Sequence, residues 1–456
     1  MKSLCQNVGK LSVVNINSPD RKDGVPDSEP PRDQESKCTA MSSMSNPNFG
    51  STTVFTSTEK IELPNVANGD DIVDASELLL LPTELLLKII SFLDAHFAVD
   101  VLQHVCKLFN ALVKDKYTWK SRVVNQLKNS YPFLSDLEID WAQACAEIEQ
   151  HKRMWRNGGK DLHHFSLTKG HFASIVSMVL TENGRICFSG SKDRHVKVWN
   201  FSQLATEHDP EPTLSLGKPS AHEGWVSSLA FHDCLLSSAS WDHTVKLWDM
   251  SANGKQVGEI RTDSFFYCTQ FVQDTLVVGS SNHLINLYDV RVSYKEVHSL
   301  KHHSKAVICL SADDNYIISS SPDKTLVIYD RVAAKVLHRI RVPSCILSIS
   351  HLNGELWTGD AIGNVGVLSC KGKCASEMTT FNMKNEHLYS LKHSLGYLYL
   401  CYPNSIEVCF PTNPLTKLFT IHSTMMSTMS TRTNLLAAGC HEGALDVWVP
   451  LNHFSS

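Results

Sequence analysis

Three residues near the middle of the chain could form a nucleophilic triad: His171, Ser189 and Asp193. An imidazole can take the proton of a serine hydroxyl while a carboxylate holds the ring, which is what acyl-transfer chemistry requires. The same trio returns as His222, Ser238 and Asp242, and again as His303, Ser319 and Asp323. A catalytic site is built once, so a trio repeated in register is architecture. Its physical purpose is polar satisfaction. The indole N–H groups of Trp199 and Trp248 are donors only, a serine hydroxyl can accept and pass the bond on, and histidine relays it to a carboxylate. His171, Ser189, Asp193, Trp199, His222, Ser238, Asp242, Trp248, His303 and Asp323 therefore read as a structural polar network. A hydrolase using the first trio is the weakest functional reading. Cys370 and Cys374 are a lone pair with no second pair at zinc spacing, so no metal or other cofactor is expected. Cys145, Cys187, Cys268, Cys309 and Cys345 read as buried free thiols. His163-His164 and His302-His303 read as strand and turn residues.

The trios sit in a longer repeat. SGSKDRHVKVWN ends at Asn200, SASWDHTVKLWD at Asp249, VGSSNHLINLYD at Asp289 and SSSPDKTLVIYD at Asp330, with weaker copies ending at Ser369, Pro411 and Pro450. Equivalent positions are Trp199, Trp248, Tyr288, Tyr329, Leu368, Cys409 and Trp448, separated by 49, 40, 41, 39, 41 and 39 residues. A period near 40 ending in Trp-Asp, with strand-like alternation inside each copy, predicts a β-propeller, and seven copies predict seven blades. The longest interval predicts a loop insertion at QLATEHDPEPTLSLGKPS. The last copy leaves no room for a fourth strand, so residues 162–168 should supply it and remove a bare sheet edge. Blades five and six depart most from the repeat.

Ahead of the propeller the composition changes twice. Residues 1–76 are broken by prolines and rich in Ser and Thr, which predicts a disordered tail with one Ser-Pro pair at Ser18. Residues 77–123 carry Leu85, Ile89, Phe92 and Leu93 as one helical stripe behind Pro82, and a second stripe through Leu102, Val105, Phe109 and Leu112. So short a helical unit cannot finish a core alone and must pack on the chain or on a partner. Residues 124–161 predict a helical connector with Trp141, Cys145, Ile148, Lys152 and Trp155 on one face and a stop at Asn157-Gly158-Gly159. Over 456 residues the net charge is −5, no apolar run is long enough to span a bilayer, and the 14 cysteines are scattered. These features exclude secreted, membrane-spanning and collagenous classes and give no sign of nucleic-acid or membrane binding. An intracellular protein, cytoplasmic or nuclear, is expected.

The segment from Leu81 to Trp119, with LPTELLLKIISFLD, VCKLFNALV and its terminal Trp, resembles an F-box, and the order F-box, connector, propeller over 162–451 resembles the F-box/WD-repeat family. The resemblance implies a non-catalytic substrate receptor of an SCF-type (Skp–cullin–F-box) ubiquitin ligase. The helices would bind a Skp-family adaptor, and through it a cullin, while the propeller holds a target protein. It implies an adaptor-facing surface of Leu81, Pro82, Leu85, Ile89 and Leu93, supported by Val105, Cys106, Phe109 and Leu112. A WD-repeat scaffold without a ligase role is the alternative. Relatives that read phosphorylated segments place arginines on the innermost strands and in the turns that follow. Here the strand positions are Ser177, Ser227, Tyr267, Ile308, Leu347 and Ser427, and the turn positions are Lys192, Trp241 and Pro322. Only Lys192 is basic, and it lacks the bidentate fork with which arginine grips phosphate. Those rows instead offer aromatic groups, so Lys192, Trp225, Trp241 and Tyr267 are the expected target-binding residues.

Overall fold

The computed structural model describes residues 81–134, 139–181, 184–292, 294–370, 378–423, 425–432 and 435–450. The predicted tail, Ser18 and Cys374 lie outside them. Pro82 stands just before helix α1 (Thr83–Phe92), where its carbonyl accepts from Leu85 and Leu86. The buried stripe of α1 is Leu86 and Ile90, one residue on from the expected one, and Leu85, Ile89 and Phe92 face outward. Apolar residues at both i and i+1 give α1 two apolar faces, and the neighbouring helices decide which is covered. Asp94 then caps α2 (Ala95–Phe97), which continues through a π-turn at Ala98–Leu102 into α3 (Gln103–Val105). Cys106 caps α4 (Lys107–Val113), and Asp115 caps α5 (Lys116–Gln126) through Thr118. Trp119 is buried with its N–H on the Val113 carbonyl at 2.6 Å.

Helix α6 (Trp141–Met154) joins this module to the propeller with two glutamates two residues apart, which a helix points to opposite sides. Glu149 faces the module. It accepts from Arg122 at 2.7 and 2.8 Å, from the Ala95 N–H at 3.1 Å and from Gln126. Arg122 in turn donates to the Leu93 carbonyl that ends α1. Glu147 faces the propeller and accepts from the Ser394 hydroxyl at 2.7 Å and the Gly396 N–H at 2.8 Å. A side chain at Gly396 would collide with Glu147 and the Ile148 backbone. Trp155, buried at the end of α6, donates to the Tyr399 hydroxyl at 3.0 Å and stacks on Phe419. The Tyr399 hydroxyl also meets His151 Nδ1 at 3.2 Å. Of the connector face expected from sequence, Cys145, Ile148 and Trp155 are buried, while Trp141 and Lys152 are half-buried.

The propeller is seven four-stranded antiparallel sheets. Six take four successive strands, as blade two does with β6 (Val226–His232), β7 (Leu235–Ser240), β8 (Thr244–Asp249) and β9 (Lys255–Arg261). The seventh takes β26 (Met426–Arg432), β27 (Leu435–Cys440) and β28 (Leu445–Pro450), and its outer strand is β1 (Leu162–Leu167), paired from Leu162↔Pro450 to Leu167↔Leu445. The ring therefore closes where the short last copy required it. The predicted insertion is not all loop: it holds the outer strand of blade one, β5 (Leu214–Leu216), and the end of a 3-10 turn (Phe201–Ala205). A strand of three residues, between Thr213 and Gly217, is too short to show alternation. Cys309 and Cys345 are half-buried rather than buried.

Two stability predictions follow from buried charge. Arg122→Ala leaves the Glu149 carboxylate unpaired and should destabilise the helical module by about 3–5 kcal/mol. Proteolysis within α1–α5 should accelerate while the propeller's near-UV signal is kept, and Arg122→Met with Glu149→Leu should restore most of the loss. In blade five, Glu355 is buried with Oε1 unpartnered, and burial pushes its carboxyl from 4.5 up to about 7. The folded state holds that proton more tightly than the unfolded chain, so the contribution of Glu355 to stability falls as pH rises from about 4.5 to 7. Glu355→Gln should remove that loss, so that its Tm relative to the parent rises between about pH 4 and pH 8 and exceeds the parent's at pH 8.

Candidate functional site

The repeated trios are closed relays inside the blades. In blade one, Trp199 donates to Ser189 Oγ at 2.7 Å, Ser189 meets His171 Nε2 at 2.8 Å, and His171 Nδ1 meets Asp193 at 2.7 Å. In blade two the corresponding distances are 2.9, 2.7 and 2.8 Å through Trp248, Ser238, His222 and Asp242. In blade four His303 meets Ser319 at 2.8 Å and Asp323 at 3.4 Å, with Thr325 on the same nitrogen at 2.9 Å. Tyr329 replaces tryptophan there and stacks on His302. Each serine is buried with its hydroxyl bonded on the histidine side, and in blades one and two on the indole side as well, so it is not available to attack a substrate.

The carboxylates do further work. Asp193 accepts from the N–H of Phe172 and of His195, Asp242 from Glu223 and Thr244, and Asp323 from Ser304 and Thr325. Each thus ties the loop entering a blade to the turn after the blade's second strand. Burial opposes ionisation, but the relay histidine at Asp193 and Asp242, the Thr325 hydroxyl at Asp323 and then these N–H donors outweigh it: Asp193 and Asp242 are held below the ordinary carboxylate value and Asp323 is brought down to about 2.

The tied loops present the aromatic groups. The Trp241 N–H donates to the Trp225 carbonyl at 3.0 Å, and the two indoles lie 4.6 Å apart between centroids. Trp241 also contacts Phe265 at 5.6 Å and Tyr267 at 6.0 Å. Lys192 Nζ lies 4.8 Å above the Trp225 ring. Trp225 and Trp241 are 42% and 40% exposed, and Tyr267 is half-buried, with burial pushing its phenol up. The structure therefore brings Lys192, Trp225, Trp241 and Tyr267 into one cluster. Sequence reading missed Phe265, although it stands 40 residues after Trp225, one repeat on.

The strand row needs one correction. A bulge between Ile175 and Ser177 puts Val176, not Ser177, at the position equivalent to Ser227 and Tyr267. Ile175-Val176 is an apolar pair in which either residue could start the inward row. Ser177 instead accepts from the Leu229 N–H of the next blade. Ser227 and Ser427 are likewise engaged, their hydroxyls donating to the Phe266 and Ile175 carbonyls of neighbouring blades.

The helical candidates divide. Pro82, Leu85, Ile89 and Val105 are exposed, while Leu81, Leu93 and Cys106 are half-buried, Cys106 with its sulfur accepting from Phe109. Phe109 and Leu112 turn inward and pack the module, so they are not part of an accessible surface. Phe92 at 77%, Phe97 and Val101 extend the exposed apolar set. Phe97, Val101 and Val105 fall at i, i+4 and i+8, a spacing that sequence reading could have used. Among the described residues no cluster of metal-ligating side chains occurs.

A helical module bearing an exposed apolar stripe, fixed to a seven-bladed propeller with repeated His–Ser–Asp relays, defines the class of F-box and WD-repeat proteins. The F-box-like family model matches residues 78–125, and the WD domain, G-beta repeat model matches 159–200, 213–249 and 294–330. The chain is 37% identical over 390 residues to F-box/WD repeat-containing protein 9 of Bos taurus and to that of Homo sapiens, covering 84% of this chain and 85% of each relative. It is 26% identical over 278 residues to F-box/WD repeat-containing protein mec-15 of Caenorhabditis elegans, 56% of this chain and 65% of that one. The chain belongs to the F-box/WD-repeat family.

Asp242→Ala removes the acceptor of His222, Glu223 and Thr244 and should cost about 2–4 kcal/mol. It should also loosen the loop bearing Trp225, red-shifting tryptophan emission. Because Asp242 and Asp323 titrate below their unfolded value of 3.8, their stabilisation is present above that pH and drains as pH falls through the folded values. The variant should lose less stability than the parent on acidification below about pH 4.

Proposed function

We propose that this protein is a non-catalytic substrate-recognition subunit of an SCF-type ubiquitin ligase. The helical module binds a Skp-family adaptor, and through it a cullin, and the propeller holds the protein to be ubiquitinated. The observation that carries this reading is the run of exposed apolar side chains Leu85, Ile89, Phe92, Phe97, Val101 and Val105 on α1 to α3. So many exposed large apolar side chains within about twenty residues are kept where a partner covers them, and burying each side chain is worth on the order of 1.5–3 kcal/mol. The family membership supports the same partner. Glu147, Trp155 and Tyr399 fix the module to the propeller, which sets the place of a bound target relative to the adaptor.

Co-expression with a Skp-family adaptor should give a stable one-to-one complex. Pro82→Ala with Ile89→Asp alters only exposed positions, so folding should be unchanged by circular dichroism while adaptor affinity falls at least about 100-fold, as expected when a charge enters an apolar interface. A folded chain that fails to bind the adaptor would refute the ligase assignment, and a complex indifferent to the double substitution would refute the assigned adaptor surface.

A further inference from the structure

The exposed large apolar groups of the propeller include Phe172, Trp225, Trp241, Ile362 and Met425. Phe172, Trp225 and Met425 stand just before the first strands of blades one, two and seven, and Trp241 and Ile362 just after the second strands of blades two and five. In an antiparallel sheet the start of one strand and the end of the next lie at the same edge, so these five groups share one end of the ring. The largest continuous part is the step Trp225–Trp241 with Phe265 and Tyr267 behind it. Adjacent indoles, each two-fifths exposed and fixed by relay carboxylates, are suited to anchor an apolar side chain.

The charge of this end selects among ligands. The Lys192 ammonium over Trp225 has no carboxylate within ion-pair distance among the described residues. Arg194 is exposed in the same turn. His441, whose ring meets Ser174 at 3.2 Å, is held neutral by burial and by the charge of Lys192. The carboxylates of Asp193 and Asp242 are turned inward, each onto its relay histidine and two N–H groups. Glu223 and Asp263, on the loops before Trp225 and Phe265, are the exposed acids on the far side. Lys192 and Arg194 of blade one thus stand on one side of the indoles and Glu223 and Asp263 of blades two and three on the other, with Glu442 the exposed acid of the blade seven turn beside His441. A cationic ligand, including a methylated lysine, meets Lys192 already on the Trp225 face, and Trp241, Phe265 and Tyr267 packed at 5.5–6.0 Å from one another. A phosphate meets Lys192, with Arg194 the other cation of that turn, and, at Ser227 and Ser427, hydroxyls already bonded to backbone.

We propose that this face recognises an unmodified peptide segment in which an aspartate or glutamate lies close to a large apolar or aromatic side chain, the carboxylate pairing with Lys192 and the apolar group seating on Trp225 and Trp241. The proposal rests on the reading of the propeller as the target-binding part and names the chemistry of the target.

The test is a bead-displayed library of unmodified 12-residue peptides, with parallel libraries carrying phosphoserine or trimethyl-lysine, probed with the full chain. The bound unmodified pool should be enriched in Asp or Glu one to three residues from Trp, Phe or Leu. Trp241→Ala should weaken individual hits at least about tenfold. Lys192→Glu should keep the apolar preference but replace the acidic preference with Lys or Arg, a switch that misfolding cannot imitate. Enrichment confined to the phosphoserine or trimethyl-lysine libraries, an unchanged profile with Lys192→Glu, or no enrichment by the folded chain would each overturn the proposal. Adaptor binding measured on the same preparation separates the two claims. Intact adaptor binding without peptide selectivity refutes only this one, and peptide selectivity without adaptor binding refutes only the ligase reading.

Discussion

The helical part of the protein depends on one buried charge, the carboxylate of Glu149. Arg122 pairs with it through two nitrogens, and both side chains are only 15% exposed. The pair is useful because of what else each partner holds. Arg122 completes the carbonyl end of α1 at Leu93, and Glu149 receives the N–H that opens α2 at Ala95. Two helix ends that would otherwise bury unsatisfied groups are therefore closed by one ion pair supplied from α5 and α6. Glu147, two residues earlier, does the same for the Ser394–Gly396 turn of blade six. The position of the helices on the propeller follows from the spacing of two glutamates on one helix.

This docking explains which parts of the fold were legible. Blades one, two and four carry the relay, and the need to satisfy its buried polar groups keeps their sequence close to the repeat. Blade six must present Gly396, Tyr399 and Phe419 to α6, and blade five presents Trp357 to Phe133 of the connector at 5.4 Å. Residues chosen for those contacts no longer match the repeat, so the period persisted there while the motif faded. The same logic applies to α1. Its apolar period was plain, but which of two adjacent stripes is covered depends on Trp119, Arg122 and Glu149, all distant in sequence. Outward Leu85 and Ile89 were legible through family resemblance, and Phe109 and Leu112, expected behind that surface, are packed inside the module.

The aromatic face of the propeller was legible for a different reason. A propeller converts sequence period into position, so residues at equivalent points of successive repeats meet at one end of the ring. Lys192, Trp225, Trp241 and Tyr267 could be brought together on that ground alone, and Phe265 belonged to the same row. What the period could not supply was the bulge. It shifts register by one in the innermost strand, as between Val226 and Ser228 or Met426 and Thr428, and decides which side chain leaves the ladder. At Ser227 and Ser427 the freed hydroxyl is turned to the next blade, and at Tyr267 a ring of this kind reaches the aromatic cluster instead.

The two apolar surfaces differ in chemistry, and that difference bears on how long each stays covered. The stripe on α1 to α3 is aliphatic and phenyl, with Lys88 over Phe92 as its close cation, and resembles a domain core cut in half. Surfaces of that composition belong to lasting complexes, because exposing them again is costly in water. The propeller face mixes indoles, a phenol, a lysine and flanking acids, the composition of interfaces that form and dissolve. Its charged groups keep it solvated when empty and set the orientation of whatever lands on the indoles. This asymmetry, which the proposed receptor role requires for retaining one partner while exchanging another, is set by which side chains the relay aspartates and Glu149 leave facing water.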